Sequence, residues 1–223
     1  MEKILAGVAR FQSRVFPEYK DHFAQIAFEQ KPRALFITCA DSRVMPNLIT
    51  QCRPGELFQC RDVGNIVPPY GGAYGGVSAT IEYSISVLGV KHVIVCGHSD
   101  CGAMRALLNH DKIAKFPAVL GWLQQAEAAR RTVLESGLDL PEDQMLQMMI
   151  EQNVRAQLTN LRTHPAVASK MARGELSVHG WVYDIEHGTV SILNPQTDVF
   201  EQVGPEKPGA LVESWEPGEA AIL

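Results

Sequence analysis

What this chain lacks narrows the field first. No apolar stretch approaches the ~20 residues a membrane-spanning helix needs; the longest, such as Ala34 to Ile37 and Val93 to Cys96, are strand-sized. The opening residues Met1-Glu2-Lys3-Ile4-Leu5-Ala6 run straight into an amphipathic pattern and hold no signal-peptide apolar region, so a cytosolic or similarly reducing location is expected, with no membrane partner. No run of basic residues occurs, and 20 Lys and Arg against 25 Asp and Glu leave a net charge of -5, which argues against a nucleic-acid surface. Cysteine is too sparse for a disulfide scaffold: the five present are an odd number in a chain that is not small. There are no internal repeats. Gly71-Gly72-Ala73-Tyr74-Gly75-Gly76 is glycine-rich but lacks the lysine and spacing of a phosphate loop, which leaves a nucleotide-binding reading without its motif.

What is present reads as one α/β domain. Hydrophobic residues make up 46% of the chain, enough for a sizeable core. Residues 1–203 form that domain, with 1–30 as a helical arm suited to exchanging contacts with a partner subunit. Residues 204–223 form a tail rich in Pro, Gly and Glu that is expected to be partly mobile. Ile4, Leu5, Val8, Phe11 and Val15 fall at helical spacing; Pro17 is expected to end that helix and open another, running to about Gln30. Strands are expected over 34–38, 56–61 and 92–96, unalternating apolar runs in the first and last marking burial on both faces. Helices are expected over 77–88, from about Cys101, over 118–135, over 143–163 and from Pro165 to about Gly174. A hairpin around His187-Gly188 closes the pattern. Strand–helix alternation of this kind predicts a mostly parallel central sheet flanked by helices, with a late antiparallel hairpin.

Ligands in such sheets gather beyond the carboxyl ends of the strands. Two ends carry unusual chemistry here. One strand runs into Cys39-Ala40-Asp41-Ser42-Arg43 and another into Gly97-His98-Ser99-Asp100-Cys101-Gly102. If these strands are neighbours, Cys39, His98 and Cys101 meet. Two thiolates and an imidazole suit zinc, and three protein ligands leave a fourth position open, the pattern of a catalytic site. A lone cysteine would more simply be a core thiol; the joint pattern, with Asp41 and Arg43 interleaved, points to the metal.

These two blocks resemble the signatures of β-class carbonic anhydrases. The likeness continues through Pro54-Gly55-Glu56-Leu57-Phe58, Gly64-Asn65-Ile66-Val67-Pro68, Ile81-Glu82-Tyr83 and His179-Gly180-Trp181-Val182-Tyr183, and it covers about Ile4 to Val203. It is closest to the bacterial branch that includes cyanase-associated and carboxysomal enzymes. The resemblance implies a zinc-dependent carbonate dehydratase, interconverting CO2 and bicarbonate, with one zinc per chain on Cys39, His98 and Cys101 and an Asp41–Arg43 dyad beside it. Zinc brings the pKa of water towards ~7; Asp41, kept ionised by a bidentate Arg43, can accept that water's proton. Gln30 aligns with a pocket glutamine able to bind the substrate oxygen, as can the N–H of Gly102. Phe58, Val63 and Tyr83 match apolar pocket positions, where core packing explains them equally well. The resemblance also implies a homo-oligomer, dimer or tetramer, in the cytoplasm or in a carboxysome-like compartment. His92, His110 and Tyr83 are candidate proton relays.

The chain departs from the family pattern at Gln59-Cys60 and at Asp62, where an asparagine is usual. Cys52, Cys60 and Cys96 fall outside both blocks and are not expected to bind metal. Within the family, some sites close when the aspartate binds zinc. Phe36 and Thr38 stand here in place of the tryptophan and small residue of that branch, so Asp41 is expected to stay with Arg43. Hydrolysis of carbonyl sulfide or carbon disulfide, and non-catalytic bicarbonate binding, are the alternatives on the same fold.

Overall fold

The computed structural model describes residues 1–72, 74–109 and 113–204. Ala73 of the glycine-rich loop, the candidate relay His110 and nearly all of the expected tail lie outside them. A six-stranded sheet organises the rest, in the order β2-β1-β3-β4-β5-β6. β1 (Ala34–Cys39), β2 (Leu57–Asp62), β3 (His92–His98) and β4 (Ser177–Asp184) are mutually parallel, while β5 (Thr189–Leu193) and β6 (Phe200–Gln202) add antiparallel edges. The expected α/β architecture with a late antiparallel element is what the chain adopts; β6 extends it by a strand that the sequence pattern did not announce.

β1 is buried at all six positions because both faces of the sheet are covered there. The larger core holds Leu35, Ile37, Val93, Val95 and Val182 against the helices, and a smaller one holds Ala34, Phe36, Ile94 and Cys96 on the opposite face beside Trp181. Phe36 and Trp181 meet edge to face at 5.7 Å between ring centroids. The helices are α3 (Pro46–Thr50), α4 (Gly76–Glu82), α5 (Gly102–Leu108), α6 (Pro117–Leu123), α7 (Glu127–Leu134), α8 (Glu142–Arg162) and α9 (Pro165–Ala172). α4 continues into a π-helical turn over Tyr83–Val87, and a 3-10 turn separates α6 from α7 inside what reads as one helix in sequence. α3 was not expected. α8 is the longest and lies on β3 and β4 where Gly97 and Gly180 leave room for Ile150, Val154 and Leu158.

The arm differs from its expected form. α1 (Glu2–Arg10), a π turn (Phe11–Val15) and α2 (Phe16–Ile26) make a continuous helical path. Pro17 does not break it, because it sits in the first turn of α2, where the missing N–H costs little. The path stops at Ile26, four residues short of Gln30. No residue of α1 or α2 is buried. Ile4, Leu5, Val8, Phe11 and Val15 are between 39% and 66% exposed, an apolar stripe left uncovered by the described residues. Two contacts tie the arm's end down: His22 Nε2 donates to Pro54 O at 2.8 Å, and Ile26 packs on Gly55. Among the described residues no helix is long and apolar enough to cross a membrane.

Candidate metal centre

Parallel pairing sets the site. Thr38 is level with Cys96 across β1 and β3, so Cys39 and His98 emerge together at the carboxyl edge of the sheet. The chain then turns through Asp100, which adopts a left-handed φ of 54°, and returns Cys101 to the start of α5. This turn is pinned to β4: Ser99 N–H donates to Tyr183 O at 2.9 Å, and Ile185 N–H donates to Ser99 Oγ at 2.9 Å. The ligand atoms of Cys39, His98 and Cys101 all lie within 4.8 Å of one another, and all three residues are buried.

The donor set fits a metal ion. His98 Nδ1 lies 2.9 Å from Ser99 O. A carbonyl only accepts, so Nδ1 carries the proton and Nε2 presents its lone pair to the cluster. That Nε2 is buried without a hydrogen-bond partner, the orphan a cation would satisfy. The two sulfurs contend for one proton. A hydrogen bond from Cys101 brings the Cys39 thiol down to about 4 against the opposing effect of burial, while Cys101 is driven up by that same hydrogen bond and by burial. Burial pulls the His98 imidazole down, but the adjacent Cys39 sulfur outweighs it and the net shift is upward. A half-ionised, desolvated cluster of this kind is balanced by a divalent cation that replaces its protons. Thiolate and imidazole donors in a three-residue set match zinc chemistry.

Asp41 stands beside the cluster, with Oδ2 at 3.9 Å from His98 Nε2. Arg43 grips it from two directions: Nε donates to Oδ1 at 3.0 Å and Nη2 to Oδ2 at 2.8 Å, while the Arg43 backbone N–H also donates to Oδ1 at 2.9 Å. These contacts, the guanidinium hydrogen bonds first, hold the Asp41 carboxyl well below its ordinary range, so it is ionised at any working pH. Arg61 fixes the turn underneath, donating from Nη2 to Asp41 O at 2.7 Å. Sequence reasoning did not select Arg61, nor Asp100, which lies 3.4 Å from Arg43 and 2.6 Å from Arg105 and so links the dyad to α5. The spacing Asp100…Arg105 at the mouth of a helix was the available signal.

The remaining selected residues fall into two groups. Val63 directly follows Asp62, which is level with Cys39, and Gly102 opens α5 with no atom within 4 Å of where a side chain would begin; both stand at the cluster's end of the sheet. Phe58 is level with Leu35, four positions back along the strand, or roughly 13 Å at ~3.3 Å per residue. Tyr83 accompanies Phe58, at 5.9 Å between ring centroids, and Tyr83 is 44% exposed. Gln30 precedes β1 altogether and lines a cleft of about 930 Å³ between α2 and the 51–56 turn. One chain therefore does not bring Gln30, Phe58 and Tyr83 to its own cluster. Cys60 and Cys96 are buried core thiols, pushed up to about 11 and about 12 by desolvation, and Cys52 lies elsewhere.

Comparison with known proteins gives a consistent result. Residues 34–190 match the family model described as carbonic anhydrase. A carbonic anhydrase of Pseudomonas aeruginosa is 47% identical over 220 residues, 99% of each chain. Among solved structures, the β-carbonic anhydrase CcaA superposes with a TM-score of 0.89 at 43% identity, covering 93% of each chain. A tetrameric β-carbonic anhydrase from Sordaria macrospora superposes at 0.78 with 27% identity, over 91% of this chain and 98% of its own.

Proposed function

The chain belongs to the β-class carbonic anhydrases, and from that premise we propose that it interconverts CO2 and bicarbonate at a zinc ion held by Cys39, His98 and Cys101. The observation that carries this is the convergence of two thiols and an unpartnered imidazole nitrogen within 4.8 Å, with an ionised Asp41 alongside. Zinc, when bound, supplies Lewis acidity that makes water ionisable near neutral pH.

The chain's own groups do the rest. Asp41 Oδ2 accepts the O–H hydrogen of the attacking oxygen, aiming its lone pair at the CO2 carbon. The twin grip of Arg43 keeps that carboxylate charged and aimed, because a guanidinium fork matches both oxygens. The Gly102 N–H, free at the start of α5 and unshielded by a Cβ, donates to the oxygen that gathers negative charge as bicarbonate forms. Val63 offers an apolar wall to an apolar substrate.

Gln30, Phe58 and Tyr83 lie at the far end of β1 and β2 from their own Cys39, so they serve in the site of a second subunit. The bare apolar stripe of the arm supplies the contact that would join two copies. The protein is thus a homo-oligomer, dimer or tetramer, in keeping with the tetrameric relative. The cytoplasm is its expected location.

Stopped-flow CO2 hydration at about pH 8, with zinc content measured on the same sample, tests this reading. Rapid hydration at about one zinc per chain, with both activity and metal lost in Cys101→Ala, is expected. A zinc-loaded protein silent from about pH 6.5 to about pH 9 would refute it.

A further inference from the structure

Residues Gly64 to Val67 form a loop that is buried yet belongs to no strand or helix. Buried backbone N–H and C=O groups without a ladder must find other partners. Ile66 N–H finds Asp62 Oδ1 at 2.7 Å, and side chains from two helices hold other groups of the loop and of Val63 before it. Trp122 Nε1, on α6, donates to Val63 O at 2.8 Å, and Asn153 Nδ2, on α8, donates to Gly64 O at 3.0 Å. Farther along α8, Val67 N–H donates to Gln157 Oε1 at 2.9 Å, and Asn160 Nδ2 donates to Val67 O at 2.9 Å. Gln157 Nε2 donates to Asn153 Oδ1 at 2.9 Å, locking the amides together and settling which way each points. Asn153 is 1% exposed and Gln157 0%, so the hydrogen bonds these two amides make have no competition from water, whereas the Trp122 bond to Val63 O is exposed.

The peptide gripped first is the one that matters. Val63 O and Gly64 N belong to the same planar unit. The Gly64 N–H donates to Cys39 Sγ at 3.4 Å, inside the buried site. Trp122 therefore holds the carbonyl end of the peptide whose amide end points at the sulfur, while Asn153 holds the next carbonyl. Glycine is needed between them: its φ is +87°, and a Cβ there would come within 3.0 Å of Met104 Cε and 3.2 Å of Ala103 Cβ.

We infer that Trp122 and Asn153, the latter braced by Gln157, are positioning residues that aim the Gly64 amide at the Cys39 sulfur and so hold that sulfur as a directed thiolate for the metal. The inference rests on the reading of Cys39 as a metal ligand. Its physical content is that an N–H···S bond stabilises a thiolate and fixes the ligand's direction. Outer partners of this kind commonly change metal affinity by ~10–100-fold when removed.

The test uses the full-length protein loaded with cadmium-113, read by amide NMR, and zinc affinity measured by chelator competition. A scalar coupling from cadmium to the Gly64 amide proton is expected in the unaltered protein. Trp122→Phe removes one indole N–H while keeping most of the ring's bulk; it is expected to weaken that coupling and to lower zinc affinity by about 10-fold. Asn153→Ala should do the same. Trp181→Phe is the control, because the Trp181 indole N–H has no hydrogen-bond partner, and it should change neither reading. Cadmium that shifts the Cys39 β-carbon but shows no coupling to Gly64 overturns the inference alone, as does Trp122→Phe with coupling and affinity intact. A Cys39 resonance untouched by cadmium overturns the metal-centre reading and this inference with it.

Discussion

Substituting Gly180 by alanine probes the contact that seats α8 on the sheet. A methyl group at this position in β4 would lie 2.9 Å from Leu158 Cδ1, 2.9 Å from Val154 Cγ1 and 3.4 Å from Leu193 Cβ. Carbon atoms rest at about 3.5–4.0 Å, so the first two contacts overlap by more than half an ångström. The helix has no easy retreat. Across β3, a methyl at Gly97 would likewise meet Val154 at 3.0 Å and Ile150 at 3.1 Å, so α8 already touches two strands at bare backbone. Overpacking of this kind costs about 1–3 kcal/mol, which outweighs the ~0.4–1 kcal/mol that Gly→Ala gains through the unfolded chain. The net loss, about 0.5–2.5 kcal/mol, corresponds for a chain of this length to a fall in Tm of roughly 1–10 °C. Val154→Ala opens space at the same spot and alone costs about 2 kcal/mol of lost burial. The double variant should therefore be less damaged than the sum of the two by about 1 kcal/mol, since the new methyl occupies part of the space vacated. Guanidinium denaturation at one fixed protein concentration measures all four states, because an oligomer's apparent stability depends on concentration. Gly180→Ala within 0.5 kcal/mol of the parent, or strict additivity in the cycle, would show that the close approach of α8 to β4 is wrong.

Asp41→Asn keeps the shape of the dyad but removes the charge that Arg43 stabilises. CO2 hydration should fall by about 10²-fold with zinc content unchanged, the loss expected of a misaimed reactant; full activity with bound zinc would exclude Asp41 as the acceptor that orients the attacking oxygen. His92 and His179 face each other at 3.3 Å, and burial, aided by His92, brings His179 down to about 4 from an ordinary 6.5. The native state thus disfavours the proton that the unfolded chain accepts. The pair's contribution is complete above pH 6.5 and is lost as pH falls towards 4, by roughly 3 kcal/mol. His179→Phe should flatten that part of the stability profile, and an unchanged acid slope in the variant would count against the pair. Val8→Glu with Phe11→Glu places charge on the exposed stripe of the arm; light scattering should then report a smaller particle, whereas an unaltered mass would show that the arm is not an intersubunit contact.

The convergence of Cys39, His98 and Cys101 was legible because it depends on two local facts, each written in a few adjacent residues. Unalternating apolar runs marked β1 and β3 as buried parallel strands, and Cys39, His98 and Cys101 follow directly at their carboxyl ends. Other features were hidden because they depend on what lies across the fold. The π turns in the arm and after α4 preserve apolar spacing well enough to pass for ordinary helix. β6 spans three residues, too few for a period. The polar row Asn153, Gln157, Asn160 carries no signal in the helical pattern over 143–163, because it faces a buried loop whose backbone needs those amides.

The pocket residues show the deeper limit. Alignment of motifs can nominate Gln30, Phe58 and Tyr83 together with Val63 and Gly102, but it assigns no chain to any of them. Register measures how far each lies along the sheet from its own Cys39. A parallel strand carries its residues in one direction, so a residue level with Leu35 cannot also be level with Cys39, and nothing within a single domain shortens the roughly 13 Å between them. Substrate contacts proposed at both ends of β1 therefore require two copies of the chain set against each other, with the far end of one sheet near the carboxyl edge of the next. On this argument the proposed oligomer would be part of the catalytic apparatus. Arm substitutions that release monomers should then abolish CO2 hydration while leaving one zinc per chain in place, and a monomer that retained full turnover would return all of the catalytic contacts to the carboxyl edge of its own sheet.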